Sequence, residues 1–366
     1  MILDNKLSNK EIIVLDGATG SEIARLGAEM NSSAWCGVAN KTHPEIVRQV
    51  HEEYIRAGAD IITANTFSTS RHCLAGADLA DESIAITTKA VQIAREAVEN
   101  IGANRPIAIA GSMSNMVAWI PGTVSPDPRF LPTPEEELDN YRELAQTLAN
   151  SGVDILLMEM MRDIDRSTRA VKAAVETGLP VWIGTSCTLL PNGSVSAWNS
   201  LMEEPESRLS SDHVSSVKNT SYNSLLESMI SFQPQVMGVM HSTVETTNIG
   251  LNTLHDHWQG PVMAYPETSS EVRRGIRHEI EPAVFAKHCR DWVESGVQII
   301  GGCCGTTEVH VRAMRTALES VPRRSFDQEA VDAALGVAWK GMPTPDNVGN
   351  TKQSTGRRRG RRRDRG

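Results

Sequence analysis

Short, uninterrupted apolar runs recur along this chain, and each is followed by a stretch with helical spacing. The runs are Ile12–Leu15, Asp60–Ala64, Pro106–Ala110, Asp154–Met158, Pro180–Gly184, Val236–Met240, Pro261–Tyr265 and Val297–Ile300. None alternates apolar with polar residues, so both faces of each strand must be covered, as in a parallel sheet. Helices are predicted over His43–Ala57, Asp81–Asn100, Pro134–Ala149, Asp163–Glu176, Tyr222–Ser231, Thr246–Trp258, Pro282–Glu294 and Thr307–Leu318. Gly58, Gly152 and Gly296 each end a helix just before a strand opens, a position that favours glycine. Eight strand–helix pairs predict an α/β fold, a closed (β/α)8 TIM barrel in a single domain over residues 1–320. An open doubly wound sheet is the runner-up, weakened because no Gly-x-Gly-x-x-Gly follows the first strand. The loop from Leu190 to Ser221 is long for a barrel and is read as a lid or an oligomer arm. Residues 321–345 are read as a C-terminal extension with a short helix at Gln328–Ala338, and residues 346–366 as an Arg-rich disordered tail.

Composition narrows the class. The 366 residues are 40% hydrophobic but only 4% aromatic, so a core is affordable and each aromatic is a candidate for a specific task. The net charge of -9 is uneven: residues Gly356–Gly366 hold seven Arg and one Asp, leaving 29 Lys and Arg against 44 Asp and Glu in the body. An acidic body argues against nucleic-acid binding, and the tail is read as a solubilising segment rather than a docking site. Six scattered cysteines lack a disulfide framework and fit a reducing compartment. With no apolar run near the ~20 residues of a membrane span and no signal-peptide pattern at the start, a cytoplasmic protein with no membrane partner is expected. A homo-oligomer stays open.

The chemistry concentrates in Gly301-Gly302-Cys303-Cys304-Gly305, directly after the eighth run. Adjacent strand residues point to opposite faces, so two thiols serve one site only if the backbone turns there, and glycine permits the turn. Two buried small apolar residues are the plain alternative; the glycine frame favours a thiolate pair holding a soft metal such as zinc. Barrel active sites lie at the C-terminal strand ends. Those ends collect Asp16, Asn65, Ser112, Glu159, Ser186, His241, Glu267, Cys303 and Cys304. His241 ends the sixth run and could join Cys303 and Cys304 around one ion. Three protein ligands with an open position form the catalytic pattern of zinc, suited to activating a thiol. Glu159 could bind a substrate ammonium or pair with a base such as Arg162. Trp35, Phe67, Trp119 and Trp198 fall in predicted mouth loops, where they could pack or cage a methylated cation.

These motifs resemble the homocysteine S-methyltransferase family. Gly301–Thr306 with His310 is similar to its zinc motif, Asp16–Glu22 to its opening strand and turn, His51 through Ala57–Phe67 to its second-strand signature, and Tyr265-Pro266 to its seventh strand. The resemblance spans roughly residues 10–320. It implies zinc-dependent methyl transfer from a small sulfonium or quaternary ammonium donor, such as S-methylmethionine or betaine, to a thiol such as homocysteine. Glu159 then engages the homocysteine amino group; Asp16, Gly17, Asn65, Ser112, Trp35 and Glu267, taken by their position at the strand ends and mouth, are the further substrate-binding candidates. The chain also departs from the pattern. His241 stands where the family has its third zinc-binding Cys, Met240 where it has Asn, Met160 where it has Thr, and Glu267 where it usually has Asn. One thiolate fewer leaves a bound ion more Lewis-acidic and its sulfur ligand less electron-rich. A divergent paralogue acting on another thiol or methylated compound, or a non-catalytic metal-binding barrel, are the alternative readings.

Overall fold

The computed structural model describes residues 2–31, 33–123, 125–190, 193–198, 220–273, 276–319 and 321. Eight parallel strands form one sheet: β1 (Ile13–Val14), β2 (Ile61–Ala64), β3 (Ala108–Ser114), β4 (Ile155–Met161), β5 (Val181–Thr185), β6 (Val236–Met240), β7 (Val262–Tyr265) and β8 (Ile299–Ile300). Their order is β1-β8-β7-β6-β5-β4-β3-β2. The two end strands meet through a parallel bridge between Leu15 and Ile61. Asp60 fastens this seam: its N–H donates to the Val14 carbonyl at 2.7 Å, and its carboxylate accepts from the Val14 N–H at 2.9 Å. The sheet is therefore a closed barrel, as the repeated strand–helix pattern predicts.

Successive strand residues feed two different cores. Ile155 and Leu157 of β4 join Ile13, Leu15, Trp182 and Met263 inside the barrel. Leu156 and Met158 face the outer layer with Tyr141, Leu144 and Val171 of the surrounding helices. This two-sided burial is why the strands read as continuous apolar runs. The helices form where the pattern places them, among them Pro44–Ala57, Ser83–Ile101, Pro134–Asn150 and Ile164–Val175. Gly58 ends the first of these with φ 112°, a left-handed conformation that glycine adopts without strain.

The structure adds elements that the periodicity does not show. A helix at Ile2–Ser8 places Leu3 and Leu7 in the barrel-interior cluster. The Gln298 amide, just before β8, donates to the Lys6, Leu7 and Glu11 carbonyls, so the helix closes the N-terminal end of the barrel. β3 and β4 run further than expected, to Ser114 and Met161, because their last residues stay paired, Ser112 opposite Leu157 and Ser114 opposite Glu159. Ser112 and Glu159 thus lie within strands, not at their tips. Part of the expected long loop forms an antiparallel hairpin of Cys187–Leu189 and Val195–Ala197. Residues 191–192 and 199–219 of that loop, the expected helix at Gln328–Ala338 and the Arg-rich tail lie outside the described residues. Among the described residues no helix is long and apolar enough to cross a membrane.

Candidate metal centre and cavity

At the C-terminal ends of the strands, the backbone turns immediately after β8. The Cys303 N–H donates to the Pro266 carbonyl at 2.7 Å, the Cys304 carbonyl accepts from Thr268, and the Thr306 N–H closes on the Cys303 carbonyl at 3.0 Å. Gly305 follows with φ 78°. This turn brings both thiols to one side, their sulfurs 3.8 Å apart. His241 follows β6 with φ 42°, held by its N–H on the Tyr265 carbonyl at 3.1 Å. Its Nδ1 lies 3.5 Å from Cys303 Sγ and 3.7 Å from Cys304 Sγ.

The donor set fits a tetrahedral soft metal. Zinc bonds of about 2.3 Å to sulfur and about 2.0 Å to nitrogen put tetrahedral ligands about 3.8 Å apart for two sulfurs and about 3.5 Å apart for sulfur and nitrogen. The three observed separations match those values without rearrangement. His241, Cys303 and Cys304 form the cluster of potential metal ligands found among the described residues. His310, by contrast, is packed away, its Nε2 2.9 Å from the Ile280 carbonyl oxygen. Without a cation the cluster is poorly suited to charge: the hydrogen bond with Cys304, then burial, push the Cys303 thiol well above its usual range.

The cluster opens into a cavity of about 420 Å³, within the usual span of small-molecule sites of about 300–1,000 Å³. Glu159 reaches it from β4, buried, accepting a short hydrogen bond from Ser112 Oγ. Burial raises its pKa, opposed by hydrogen bonds from Ser112 and Tyr265. Trp35, Phe67 and Trp119 line another part of the wall. Trp35 meets Phe67 edge-to-face at 5.5 Å, and its ring is tilted by 38° against that of Trp119 at 6.2 Å. Gly20 makes room for Trp35, since a Cβ there would sit 2.6 Å from its ring. Trp198 lies edge-to-face with the His241 ring at 4.9 Å, and the Arg162 guanidinium sits over Trp198 at 5.0 Å.

Of the residues singled out from sequence, Cys303, Cys304, His241, Glu159, Ser112, Asn65 and Trp35 all line this cavity, as do Phe67, Trp119 and Trp198. Asp16, Gly17, Ser186 and Glu267 are not among the lining residues. The Asp16 carboxylate points back into the barrel wall, accepting from the Thr63 N–H at 2.6 Å and Thr63 Oγ1 at 2.8 Å. Burial lifts its pKa to about 7. Gly17 lies against Tyr54, whose ring leaves a Cβ no room. Ser186 is buried with its hydroxyl 3.5 Å from Met240 Sδ, and the Glu267 N–H is tied to the Ser242 carbonyl. Asn65 holds the mouth loops together, its amide donating to the Cys36 carbonyl and to Asn40 Oδ1. Arg162 does stand at the site, but over Trp198. Sequence reasoning passed over Asn115 and Met116 because β3 was read four residues short. Two of the departures prove to be neighbours: the Met160 N–H, at φ 55°, donates to Met240 Sδ at 3.0 Å.

A (β/α)8 barrel with a His–Cys–Cys cluster of potential metal ligands, a buried carboxylate and an aromatic wall at the C-terminal strand ends has the layout of a barrel enzyme. The sequence profile of the homocysteine S-methyltransferase family matches residues 13–318, and the chain belongs to that family of methyltransferases. It is 27% identical over 321 residues to a homocysteine S-methyltransferase of Escherichia coli (strain K12), covering 84% of this chain and 96% of that protein. It is 26% identical over 341 residues to a selenocysteine methyltransferase of Astragalus bisulcatus, covering 86% and 94%. The fold matches the crystal structure of the metallated homocysteine methyltransferase MmuM from Escherichia coli with a TM-score of 0.64 at 20% identity, covering 86% of this chain and 99% of that one.

Proposed function

We propose that this chain is a zinc-dependent S-methyltransferase that moves a methyl group from a small sulfonium or quaternary ammonium donor to the thiol of homocysteine, forming methionine. The observation that carries it is the spacing of His241 Nδ1, Cys303 Sγ and Cys304 Sγ at the wall of a cavity shared with Glu159 and three clustered aromatics. When bound, zinc would supply a Lewis acid that stabilises a thiolate at neutral pH. His241 and the two cysteines would hold it. Glu159, oriented by Ser112, would accept the homocysteine ammonium, a charge-assisted bond that favours an ionised carboxylate. Trp35, Phe67 and Trp119 offer ring faces to a methylated cation. The acceptor sulfur loses its proton and forms the new S–CH3 bond. The donor's onium–CH3 bond breaks, and its electron pair stays on the donor sulfur or nitrogen.

The test is methionine formation by the zinc-loaded protein from homocysteine with S-methylmethionine, betaine or dimethylsulfoniopropionate. Turnover with at least one donor is expected. Failure with every donor at full zinc occupancy would overturn the assignment in favour of a binding barrel. The soluble cytoplasmic setting and the absence of nucleic-acid partners belong to the same proposal, supported by the acidic body of the chain.

A further inference from the structure

We infer that Arg162 is the carboxylate-binding residue of the cavity, so that a substrate held there carries a carboxylate as well as its reacting sulfur or onium group. This rests on the methyltransferase reading above and deepens it. Among the described lining residues Arg162 is the one Lys or Arg, facing a wall that holds Glu159 and two cysteines. A substrate carboxylate entering beside Glu159 is repelled by that carboxylate, and Arg162 is the lining side chain whose charge offsets it. The guanidinium is half-buried, stacked over Trp198 at 5.0 Å. Trp198 in turn lies 4.9 Å from the His241 ring. Arg162 is thus two ring contacts from the metal ligands.

The stacking geometry suits the task. A guanidinium packs on an aromatic through its face, whereas its N–H donors lie in its plane, the direction in which a carboxylate is bound bidentately. Packing on Trp198 fixes that plane and lowers the entropy lost on binding. Glu159 and Arg162 come from one strand and its exit, two opposite charges at one end of β4. A zwitterionic amino acid presents the complementary pair. Both the thiol acceptor and an amino-acid donor carry a carboxylate, and the two sources are separable by experiment.

Arg162→Gln and Arg162→Lys are compared with wild type on matched substrates. The acceptor pair is homocysteine and 3-aminopropane-1-thiol, which lacks only the carboxylate. The donor pair is S-methylmethionine and (3-aminopropyl)dimethylsulfonium, which again lacks only the carboxylate. In Arg162→Gln, KM rises about tenfold or more for one carboxylate-bearing substrate and stays within about twofold for its carboxylate-free partner, as expected for loss of a charged hydrogen bond. Arg162→Lys recovers part of the loss. The pair that shows the split identifies the source. Equal losses within both pairs, or no change in either, would overturn the inference. Should wild type turn over no donor, which sinks the methyltransferase reading itself, calorimetric binding of homocysteine against 3-aminopropane-1-thiol reads the acceptor arm, and of S-methylmethionine against (3-aminopropyl)dimethylsulfonium the donor arm. Equal affinity of wild type and Arg162→Gln for all four ligands would then overturn the inference independently.

Discussion

At the scale of single residues, the proposed chemistry turns on His241. An imidazole in place of a third thiolate keeps a ligand atom but removes a negative charge, which makes a bound ion more acidic. His241→Ala and Cys303→Ser are each expected to lose most of the zinc that wild type retains, measured as metal content after anaerobic purification. Full retention in His241→Ala would remove that residue from the ligand set. Glu159→Gln is expected to raise KM for homocysteine about ten- to a hundredfold, the range of a charged hydrogen bond. 4-Mercaptobutanoate, which lacks the ammonium, should respond little, and an equal response would refute the ammonium role. A third residue acts on stability. His51 is fully buried, neither ring nitrogen has a hydrogen-bond partner among the described residues, and burial lowers its pKa from 6.5 to about 4. The folded state therefore holds fewer protons than the unfolded state between those values. Its contribution is complete above pH 6.5 and is lost as pH falls toward 4, on the order of 3 kcal/mol in all. His51→Phe should flatten that part of the stability profile in denaturant titrations; an unchanged acid limb would show that other groups set it.

At the scale of elements, the end of β4 is where local preference yields to tertiary demand. β4 and β5 lose register between Met158 and Met161, and Met160 takes φ 55°, a conformation that costs an ordinary residue about 1 kcal/mol or more. Glu159 sits inside this irregularity and reaches the cavity from it. The Met240 thioether on β6, accepting the Met160 N–H, is the brace. Met240→Leu keeps the volume but removes the acceptor, so a loss of about 1–3 kcal/mol is expected, with a higher homocysteine KM because Glu159 is less firmly held. Wild-type melting and KM in that variant would show that the sulfur contact is incidental. Both methionines are visible in the sequence as departures from the family pattern. Their contact is not, because 80 residues separate them.

At the scale of the whole molecule, closure depends on few contacts. Among the described residues the β1–β2 seam is held by one bridge, the Thr63 bonds to the Asp16 carboxylate, the Asp60 N–H on the Val14 carbonyl and the Asp60 side chain, which is buried and paired with Lys6 at 3.2 Å and Arg315 at 2.8 Å. Removing one partner of a buried, hydrogen-bonded ion pair leaves uncompensated charge, at a cost of about 3–5 kcal/mol. Asp60→Ala is expected to lose that much by chemical denaturation; a loss below about 1 kcal/mol would mean the seam is held elsewhere. The barrel and its strands were legible in the runs Ile61–Ala64, Ile155–Met158 and Val236–Met240, because two-sided burial leaves a continuous apolar signature. The helix at Ile2–Ser8 was not, since it plugs the barrel with only two residues, Leu3 and Leu7, too few to show a period.

The sequence alone determined the barrel, the catalytic end and the two cysteines, because strand burial, helix termination and a glycine-framed thiol pair are all local patterns. It also named His241, Glu159 and the four aromatics of the mouth as candidates. Tertiary structure alone decided which candidates meet. It set His241 Nδ1 at tetrahedral distance from both sulfurs, turned Asp16 toward Thr63, kept Glu267 and Gly17 off the cavity wall, and carried Arg162 onto Trp198. Those outcomes depend on how far each strand runs before its backbone turns. That length is set by hydrogen-bonded neighbours distant in the chain, which no local pattern records.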